Sequence, residues 1–151
     1  MILYLDASAL VKFYVIEPGL EEITAARAGA ELVGTSIVSR AEVAAALAKS
    51  VRMGAVKTTD GLTSLQSFRK DWADLMHIQI TESTVARADA LAWEHNLRGF
   101  DAVHLASASF WQETMKETVT VATFDLSLWQ AAQQIGMIQF PTDLPALLND
   151  W

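Results

Sequence analysis

Short apolar runs alternate with longer stretches of helical spacing along the whole chain. Runs of this length, bounded by glycine, proline or small polar residues, are typical of β-strands. They predict strands over residues 2–5, 32–35, 76–80, 119–124 and 137–140. Strands that alternate with helices favour a parallel sheet with helices on both faces. The sequence therefore predicts a three-layer α/β/α fold with a mainly parallel central sheet.

The segments between these runs carry apolar residues at helical spacing. They predict helices over residues 7–16, 20–28, 38–53, 59–75 and 100–115, one from the cap Thr81 to Gly99, and one from Asp125 to Gly136. Two consecutive helices, 38–53 and 59–75, predict an αα-hairpin inserted between strands. The tail contains Pro141 and Pro145 and is expected to lie on the surface. No repeat or linker interrupts the pattern, so residues 1–151 are predicted to form a single domain.

Composition narrows the possible classes of protein. The 151 residues are 52% hydrophobic and 19% charged, which allows a core and leaves apolar surface for a partner or a homodimer. The chain has no cysteine, so metal ligands must be oxygen or histidine. Its start lacks the basic region of a signal peptide, and no uncharged apolar stretch approaches the roughly 18 residues of a membrane span. We therefore expect a cytoplasmic protein without membrane contact.

Four acidic residues mark the places where a predicted strand, or the turn after it, passes into a helix. They are Asp6, Glu42, Asp101 and Asp125. The carboxyl ends of parallel strands lie along one edge of a sheet, so acids far apart in sequence can converge in one crevice there. Because four carboxylates at one place suit a hard divalent cation, we predict a site for Mg²⁺ or Mn²⁺.

Each acid taken alone also has an ordinary structural explanation. The three aspartates precede or begin helices, where a carboxylate accepts backbone N–H groups. Glu42 follows Ser39 by three residues, the spacing of a capping box, although Ser36 competes as the cap. Capping gives no reason to gather the four acids, because like charges about 4 Å apart repel by roughly 1 to 4 kcal/mol per pair. The joint pattern therefore favours metal binding.

Three other polar residues are candidates for supporting roles. Ser8 and Thr123 each lie two residues from one of the aspartates, Asp6 and Asp125. Their hydroxyls are candidates to orient a carboxylate or a water, with local turn bonding as the alternative. His104 lies one turn after Asp101 and could reach the crevice, but its apolar neighbours favour a structural role in the core.

Cations and aromatic residues are the remaining candidates for contact with a polyanion. Lys12, Arg40, Lys49 and Arg98 are potential phosphate contacts, although solvated surface cations are the more common case. The tryptophans would stack on nucleobases if exposed, but their helices are patterned for packing and predict core or interface anchors. They are Trp72, Trp93, Trp111, Trp129 and Trp151. The net charge of −7 argues against nonspecific attraction to nucleic acid.

Five segments together resemble a known family. The resemblance to PIN-domain proteins, specifically to VapC-type toxins of bacterial toxin–antitoxin pairs, rests on residues 4–12 (YLDASALVK), 17–19 (EPG) and 100–106 (FDAVHLA). Residues 40–43 (RAEV) and 123–125 (TFD) match the family's remaining acidic motifs in the same order. The resemblance therefore spans nearly the whole chain. One departure is Ser127, since family members often carry arginine two residues after the last acid.

This resemblance implies a compact α/β/α domain and an endoribonuclease that depends on Mg²⁺ or Mn²⁺. Asp6, Glu42, Asp101 and Asp125 would form its metal site and carry the hydrolysis of an RNA phosphodiester. The three aspartates would be the primary ligands, and Glu42 would complete the site. The resemblance also implies a homodimer that a small VapB-like antitoxin neutralises.

Two other functions are compatible with the same residues. A PIN-like scaffold could bind a partner or RNA without cutting it, because a fold does not fix a function. A phosphoaspartate protein, either a receiver domain or a haloacid-dehalogenase-type phosphatase, also places an aspartate after a buried strand beside Mg²⁺. That phosphatase class normally has a second aspartate two residues later, where this chain has Ser8.

Overall fold

The computed structural model describes residues 1–150 of the chain. Its strands are β1 (Ile2–Leu5), β2 (Leu32–Ser36), β3 (Met76–Ile78), β4 (Val119–Ala122) and β5 (Ile138–Phe140). They form one sheet in the order β3-β2-β1-β4-β5, and every neighbouring pair is parallel. The predicted mainly parallel sheet is confirmed, and it is parallel throughout.

Helices cover both faces of this sheet. They are α1 (Ala7–Leu10), α2 (Leu20–Ala28), α3 (Ser39–Arg52), α4 (Thr58–Asp71), α5 (Glu82–His95), α6 (Gly99–Met115), α7 (Leu126–Gln134) and α8 (Leu144–Asn149), with short 3-10 turns at Val11–Phe13 and Trp72–Asp74. Helices α3 and α4 follow one another in the chain between β2 and β3. They pack together, which confirms the predicted αα-hairpin. Within residues 1–150, no helix is both long and apolar enough to cross a bilayer.

Strand β1 lies at the centre of the sheet and is buried along its whole length. Its alternate residues face opposite sides, as the two-residue period of a strand requires. Ile2 and Tyr4 pack against α5, α6 and α7, whereas Leu3 and Leu5 pack against α1, α3 and α4. The residue after β1, Asp6, therefore lies at the carboxyl edge of the most enclosed strand.

Two predicted helix boundaries were wrong. The helix predicted over residues 7–16 ends at Leu10 and continues only as a 3-10 turn. The residues that follow are mostly β-branched or aromatic, and such residues lose side-chain freedom in a helix. Gly99 does not end α5 but is the first residue of α6. Asn96 ends α5 in the left-handed conformation, with a φ of 52°, which asparagine tolerates better than most residues.

The tail was also predicted incorrectly, because it adds to the core. Leu144 is fully buried at the start of α8, and Asp143 caps this helix by accepting a hydrogen bond from the N–H of Ala146 at 2.9 Å. Proline at residue 145 fits because the first turn of a helix tolerates it. The indole N–H of Trp129 donates to the carbonyl of Pro141 at 2.7 Å and fixes the chain before the helix.

Candidate active site

The ends of β1 and β4 lie level at the carboxyl edge of the sheet, because the two strands pair in register. Asp6 directly follows β1, and Asp125 lies in the turn after β4. Asp101 lies in the first turn of α6, and Glu42 lies in the first turn of α3. All four acids line one pocket of about 240 Å³, as the sequence predicts. The other lining residues are Ala7, Ser8, Arg98, His104 and Phe124.

Asp6 is buried, and both of its carboxylate oxygens are hydrogen-bonded. Oδ1 accepts from the N–H of Ala9 at 2.8 Å and from the hydroxyl of Ser8 at 2.7 Å. Oδ2 accepts from the hydroxyl of Thr123 at 2.6 Å. The bond from Ala9 makes Asp6 the N-terminal cap of α1. Capping and a place in the pocket are therefore compatible at this residue.

Ser8 and Thr123 also bind the loop that follows β4. The hydroxyl oxygen of Ser8 accepts from the N–H of Phe124 at 2.9 Å, and that of Thr123 accepts from the N–H of Asp125 at 3.1 Å. Each hydroxyl therefore donates its one proton to Asp6 and accepts a backbone N–H from this loop. Ser8 and Thr123 therefore fix the position of Asp6 relative to Asp125. Their spacing from these aspartates in the sequence predicts this supporting role.

Glu42 is positioned by a buried histidine. Nε2 of His104 lies 2.6 Å from Oε1 of Glu42, and Nδ1 lies 2.7 Å from the hydroxyl of Tyr4. Each ring nitrogen therefore has one polar partner, and the tautomer of the ring decides which atom donates at each contact. The predicted burial of His104 is confirmed, and the buried ring connects the core to a carboxylate of the pocket.

Arg98 forms ion pairs with the other two acids. Its Nε donates to Oδ2 of Asp101 at 2.8 Å, and its Nη2 donates to Oδ2 of Asp125 at 2.9 Å. Oδ1 of Asp125 accepts from the N–H of Leu128 at 2.9 Å and thereby caps α7. The side chain of Arg98 is 77% exposed, whereas those of Asp101 and Asp125 are 15% and 26% exposed. A surface guanidinium therefore spans two carboxylates of the pocket.

Burial and charge act in opposite directions on these groups. Burial raises the pKa of Asp6, against the lowering effect of His104 and of the hydrogen bonds that the carboxylate accepts. The hydrogen bond to Asp101 raises the pKa of Arg98, and the charges of Asp101 and Asp125 add to this effect. The pocket therefore disfavours an uncompensated negative charge and stabilises a positive one.

The donor atoms of the pocket fit a hard divalent cation. They are carboxylate oxygens, and a guanidinium already stands between two of the acids, as a cation would. Among residues 1–150, no three histidine, aspartate or glutamate side chains stand close enough together to hold a metal ion as they are arranged. Each of the four acids is bonded to a protein partner instead.

The capping box that the spacing of Ser39 and Glu42 offered as an alternative is not formed at the start of α3. Val38 is the N-terminal cap residue, and no side chain makes a capping bond to this helix. Ser36 contacts the N–H of Val38 only at 3.5 Å, and the hydroxyl of Ser39 bonds within the core. The carboxylate of Glu42 bonds to His104 instead, because a hydrogen bond to a charged group is stronger than one between neutral groups.

Three of the four candidate phosphate contacts do not line the pocket. Lys12 is buried and pairs with Glu17 at 3.2 Å. Arg40 and Lys49 are exposed on α3. Arg98 lines the pocket, but its guanidinium is bound to carboxylates.

The tryptophans divide between the core and the surface. Trp72, Trp111 and Trp129 are buried, which confirms the prediction of core anchors for these three. Trp93 is 90% exposed on α5. Trp151 lies outside the described residues.

A larger and mostly apolar groove adjoins the pocket. Its volume is about 590 Å³, and it shares Glu42, Arg98 and Asp101 with the acidic pocket. Residues of α5 and α6 line most of it, among them the exposed Val85 and Phe100. The acids therefore lie at the border of an apolar surface.

Comparison with known proteins identifies the family. The family model for the PIN domain matches residues 3–133. Ribonuclease VapC45 of Mycobacterium tuberculosis is 32% identical over 143 residues, which are 95% of this chain and 97% of that protein. The crystal structure of PAE2754 from Pyrobaculum aerophilum matches with a TM-score of 0.64 at 20% identity, over 99% of this chain and 90% of that chain. A toxin–antitoxin complex from Klebsiella pneumoniae matches with a TM-score of 0.60 at 19% identity, over 82% of this chain and 86% of that chain.

The two structural matches show the fold, because their sequence identities are low. The family model covers most of the chain, and the similarity to VapC45 extends over nearly all of it. The chain belongs to the PIN domain family and, within it, to the VapC ribonucleases.

Proposed function

We propose that this chain is a metal-dependent endoribonuclease toxin that hydrolyses RNA phosphodiester bonds. One observation carries the proposal: Asp6, Glu42, Asp101 and Asp125 come from four separate segments and line the same pocket. The name of the VapC45 relative, a ribonuclease, supports the reaction class. The residues that catalyse the reaction are, in this proposal, the four acids.

The proposed cofactor is Mg²⁺, with Mn²⁺ as a substitute, because both prefer oxygen ligands. Asp6, Asp101 and Asp125 would hold it as primary ligands, and Glu42 would complete the site. When bound, such a cation supplies Lewis acidity toward a phosphate oxygen and lowers the pKa of a water. The positive charge of a bound cation would also offset the chain's net charge of −7 at the place where the scissile phosphate must lie.

Residues bonded to the four acids orient these ligands. Ser8 and Thr123 hold the carboxylate of Asp6, and His104 holds that of Glu42, all at hydrogen-bond distances below 3 Å. Partners of this kind keep ligand oxygens in one orientation and reduce the reorganisation that binding would require. The pocket is in this sense built before a substrate arrives.

We further propose that the chain acts in the cytoplasm as a single domain and that a small VapB-like antitoxin neutralises it. The similarity in fold to the Klebsiella toxin–antitoxin complex supports an antitoxin as partner. We also propose a homodimer, because Val85 and Phe100 in the groove beside the pocket are 48% and 59% exposed. Apolar surface of this kind favours association.

Mapping of new RNA 5′ ends tests the proposal. The wild-type chain, Asp101→Asn and Asp74→Asn would each be induced in bacteria that lack the antitoxin. Asp74 is exposed and does not line the pocket, so its variant controls for the loss of one negative charge. We expect new ends at one or a few sites with the wild type and with Asp74→Asn, and none with Asp101→Asn.

One result would contradict the proposal. Equal 5′-end profiles for the wild type and Asp101→Asn, with folding and expression confirmed for both, would show that the pocket does not cut RNA. The chain would then be better described as a PIN-like module that binds a partner or RNA without cleaving it.

A further inference from the structure

Arg98 is a surface side chain placed where a cation would bind. It is the N-terminal cap residue of α6, but its side chain makes no capping bond. Instead, its guanidinium donates to Asp101 at 2.8 Å and to Asp125 at 2.9 Å. Because 77% of the side chain is exposed, these two ion pairs, and not burial, hold it in this position.

The two ion pairs use oxygens that a metal ion would need. Oδ1 of Asp125 accepts the N–H of Leu128 and Oδ2 accepts from Arg98, so each oxygen of this carboxylate already has a protein donor. Asp101 also gives its Oδ2 to the guanidinium. Arginine cannot be deprotonated in proteins, so a divalent cation at these oxygens would lie beside a permanent positive charge.

We propose that Arg98 is a displaceable counter-ion for the metal site. It holds Asp101 and Asp125 in the metal-free protein, competes with a divalent metal ion for their oxygens, and moves into solvent when the metal binds. An exposed side chain changes rotamer within nanoseconds, so the exchange needs no rearrangement of the fold. The inference rests on the proposed metal site and adds that the chain sets its own metal affinity below the level that the carboxylates alone would give.

A Mn²⁺ titration of the metal-free protein by calorimetry tests this role. It compares the wild type with Arg98→Gln, Arg98→Lys, Arg69→Gln and Asp101→Asn in buffer of low ionic strength, where charges are least screened. Arg69 is exposed on α4 and does not line the pocket, so Arg69→Gln removes the same charge elsewhere. Arg98→Lys keeps the positive charge but loses the planar guanidinium, whose N–H groups can bond to two carboxylates at once.

We expect Arg98→Gln to bind Mn²⁺ about tenfold more tightly than the wild type, because one like charge and two competing ion pairs are gone. Arg98→Lys should bind about threefold more tightly, and it serves as the test if the glutamine variant does not fold. Arg69→Gln should stay within about twofold of the wild type. Thermal melting gives a second result: metal-free Arg98→Gln should melt below the wild type, and saturating Mn²⁺ should remove this deficit.

Three results would overturn the inference. Equal or weaker Mn²⁺ binding by both Arg98 variants, with binding lost in Asp101→Asn, would reject the counter-ion and leave the metal site in place. A melting deficit of Arg98→Gln that persists in saturating Mn²⁺ would show that Arg98 stabilises the fold in the metal-bound protein as well. Arg98 would then not act as a charge that competes with the metal. Equal Mn²⁺ binding by the wild type and Asp101→Asn would reject the metal site and the counter-ion together.

Discussion

Nε2 of His104 lies 2.6 Å from Oε1 of Glu42, which ties a carboxylate of the surface pocket to a residue of the core. The same imidazole bonds to the hydroxyl of Tyr4 on the central strand. The position of Glu42 therefore depends on the packing of the sheet as well as on its own helix. Glutamate is a flexible side chain, and this contact removes part of its freedom before any ligand arrives.

The bond between His104 and Glu42 should be stronger than a surface ion pair, because the histidine is buried. We expect a double-mutant cycle of His104→Ala and Glu42→Ala to give a coupling of about 1 to 3 kcal/mol in the free energy of unfolding, measured with urea. The control cycle pairs His104→Ala with Glu113→Ala, further along α6, where Glu113 bonds to Arg87. Its coupling should be below about 0.5 kcal/mol, and equal couplings in both cycles would contradict the predicted bond.

Thr123→Val replaces a hydroxyl by a methyl of similar shape at a fully buried residue. It removes the donor to Asp6 and the acceptor for the N–H of Asp125. We expect the free energy of unfolding to fall by about 1 to 3 kcal/mol. We also expect Mn²⁺ affinity, measured by calorimetry, to fall roughly 10- to 100-fold. Thr123→Ser keeps the hydroxyl and should retain most of the affinity; equal affinity in the valine and serine variants would contradict this role.

Mg²⁺ or Mn²⁺ should raise the melting temperature of the wild type, and the gain should grow with metal concentration. A ligand that binds only the folded state stabilises it by about 2.7 kcal/mol at 100 times its Kd. Differential scanning calorimetry should show this gain in the wild type and in Asp74→Asn, and a much smaller one in Asp125→Asn. A melting curve that does not move in millimolar metal would count against the proposed cofactor.

The carboxyl of Asp6 should make the stability of the metal-free protein depend on pH. Burial raises its pKa in the folded state above the usual value of 3.8, so the folded state binds this proton more tightly than the unfolded chain. The stabilising contribution is therefore complete below the unfolded pKa and is lost as the pH rises through the folded pKa. We expect the free energy of unfolding of the wild type, relative to Asp6→Asn, to decrease from about pH 4 to about pH 7 in urea denaturation. A difference that increases over this range would mean that the pKa is lowered instead.

Gly19 allows close packing beside the pocket. Its φ is 91°, and a Cβ at this residue would lie 2.3 Å from Cε1 of Phe124. We expect Gly19→Ala to lower the free energy of unfolding by about 2 to 4 kcal/mol, because left-handed backbone strain and a steric clash add. Gly54 has a φ of 77° and no neighbour within 4 Å of such a Cβ, so Gly54→Ala should lose about 1 kcal/mol from the backbone alone. Equal losses in urea denaturation would contradict the clash.

The strands and the convergence of the acids could be predicted because their signals are local. An apolar run such as Val119–Ala122, followed closely by Asp125, is visible in a few consecutive residues. The alternation of strands and helices then predicts a parallel sheet, and this topology gathers the strand ends at one edge. The end of α5 was missed because Gly99 is a common helix terminator, whereas Asn96 gives a weaker signal for the same conformation.

The partners of the acids could not be predicted, because they depend on tertiary packing. The apolar neighbours of His104 indicate burial, but its partner Glu42 is 62 residues away. Arg98 lies three residues before Asp101, a spacing at which side chains on a helix meet. Its bond to Asp101 is therefore predictable from the sequence. Its second bond, to Asp125, depends on how α6 and α7 pack.

The central strand pairs with segments made early and late in synthesis. Asp6 and Thr123, whose side chains bond directly, are 117 residues apart in the chain. During translation β1 therefore cannot pair with β4 until β4 has been synthesised. Long-range parallel pairing is slow to form even in a complete chain. A nascent chain has no assembled pocket until most of its length has left the ribosome. Under the proposed function, a nascent chain that lacks β4 therefore cannot yet cleave RNA.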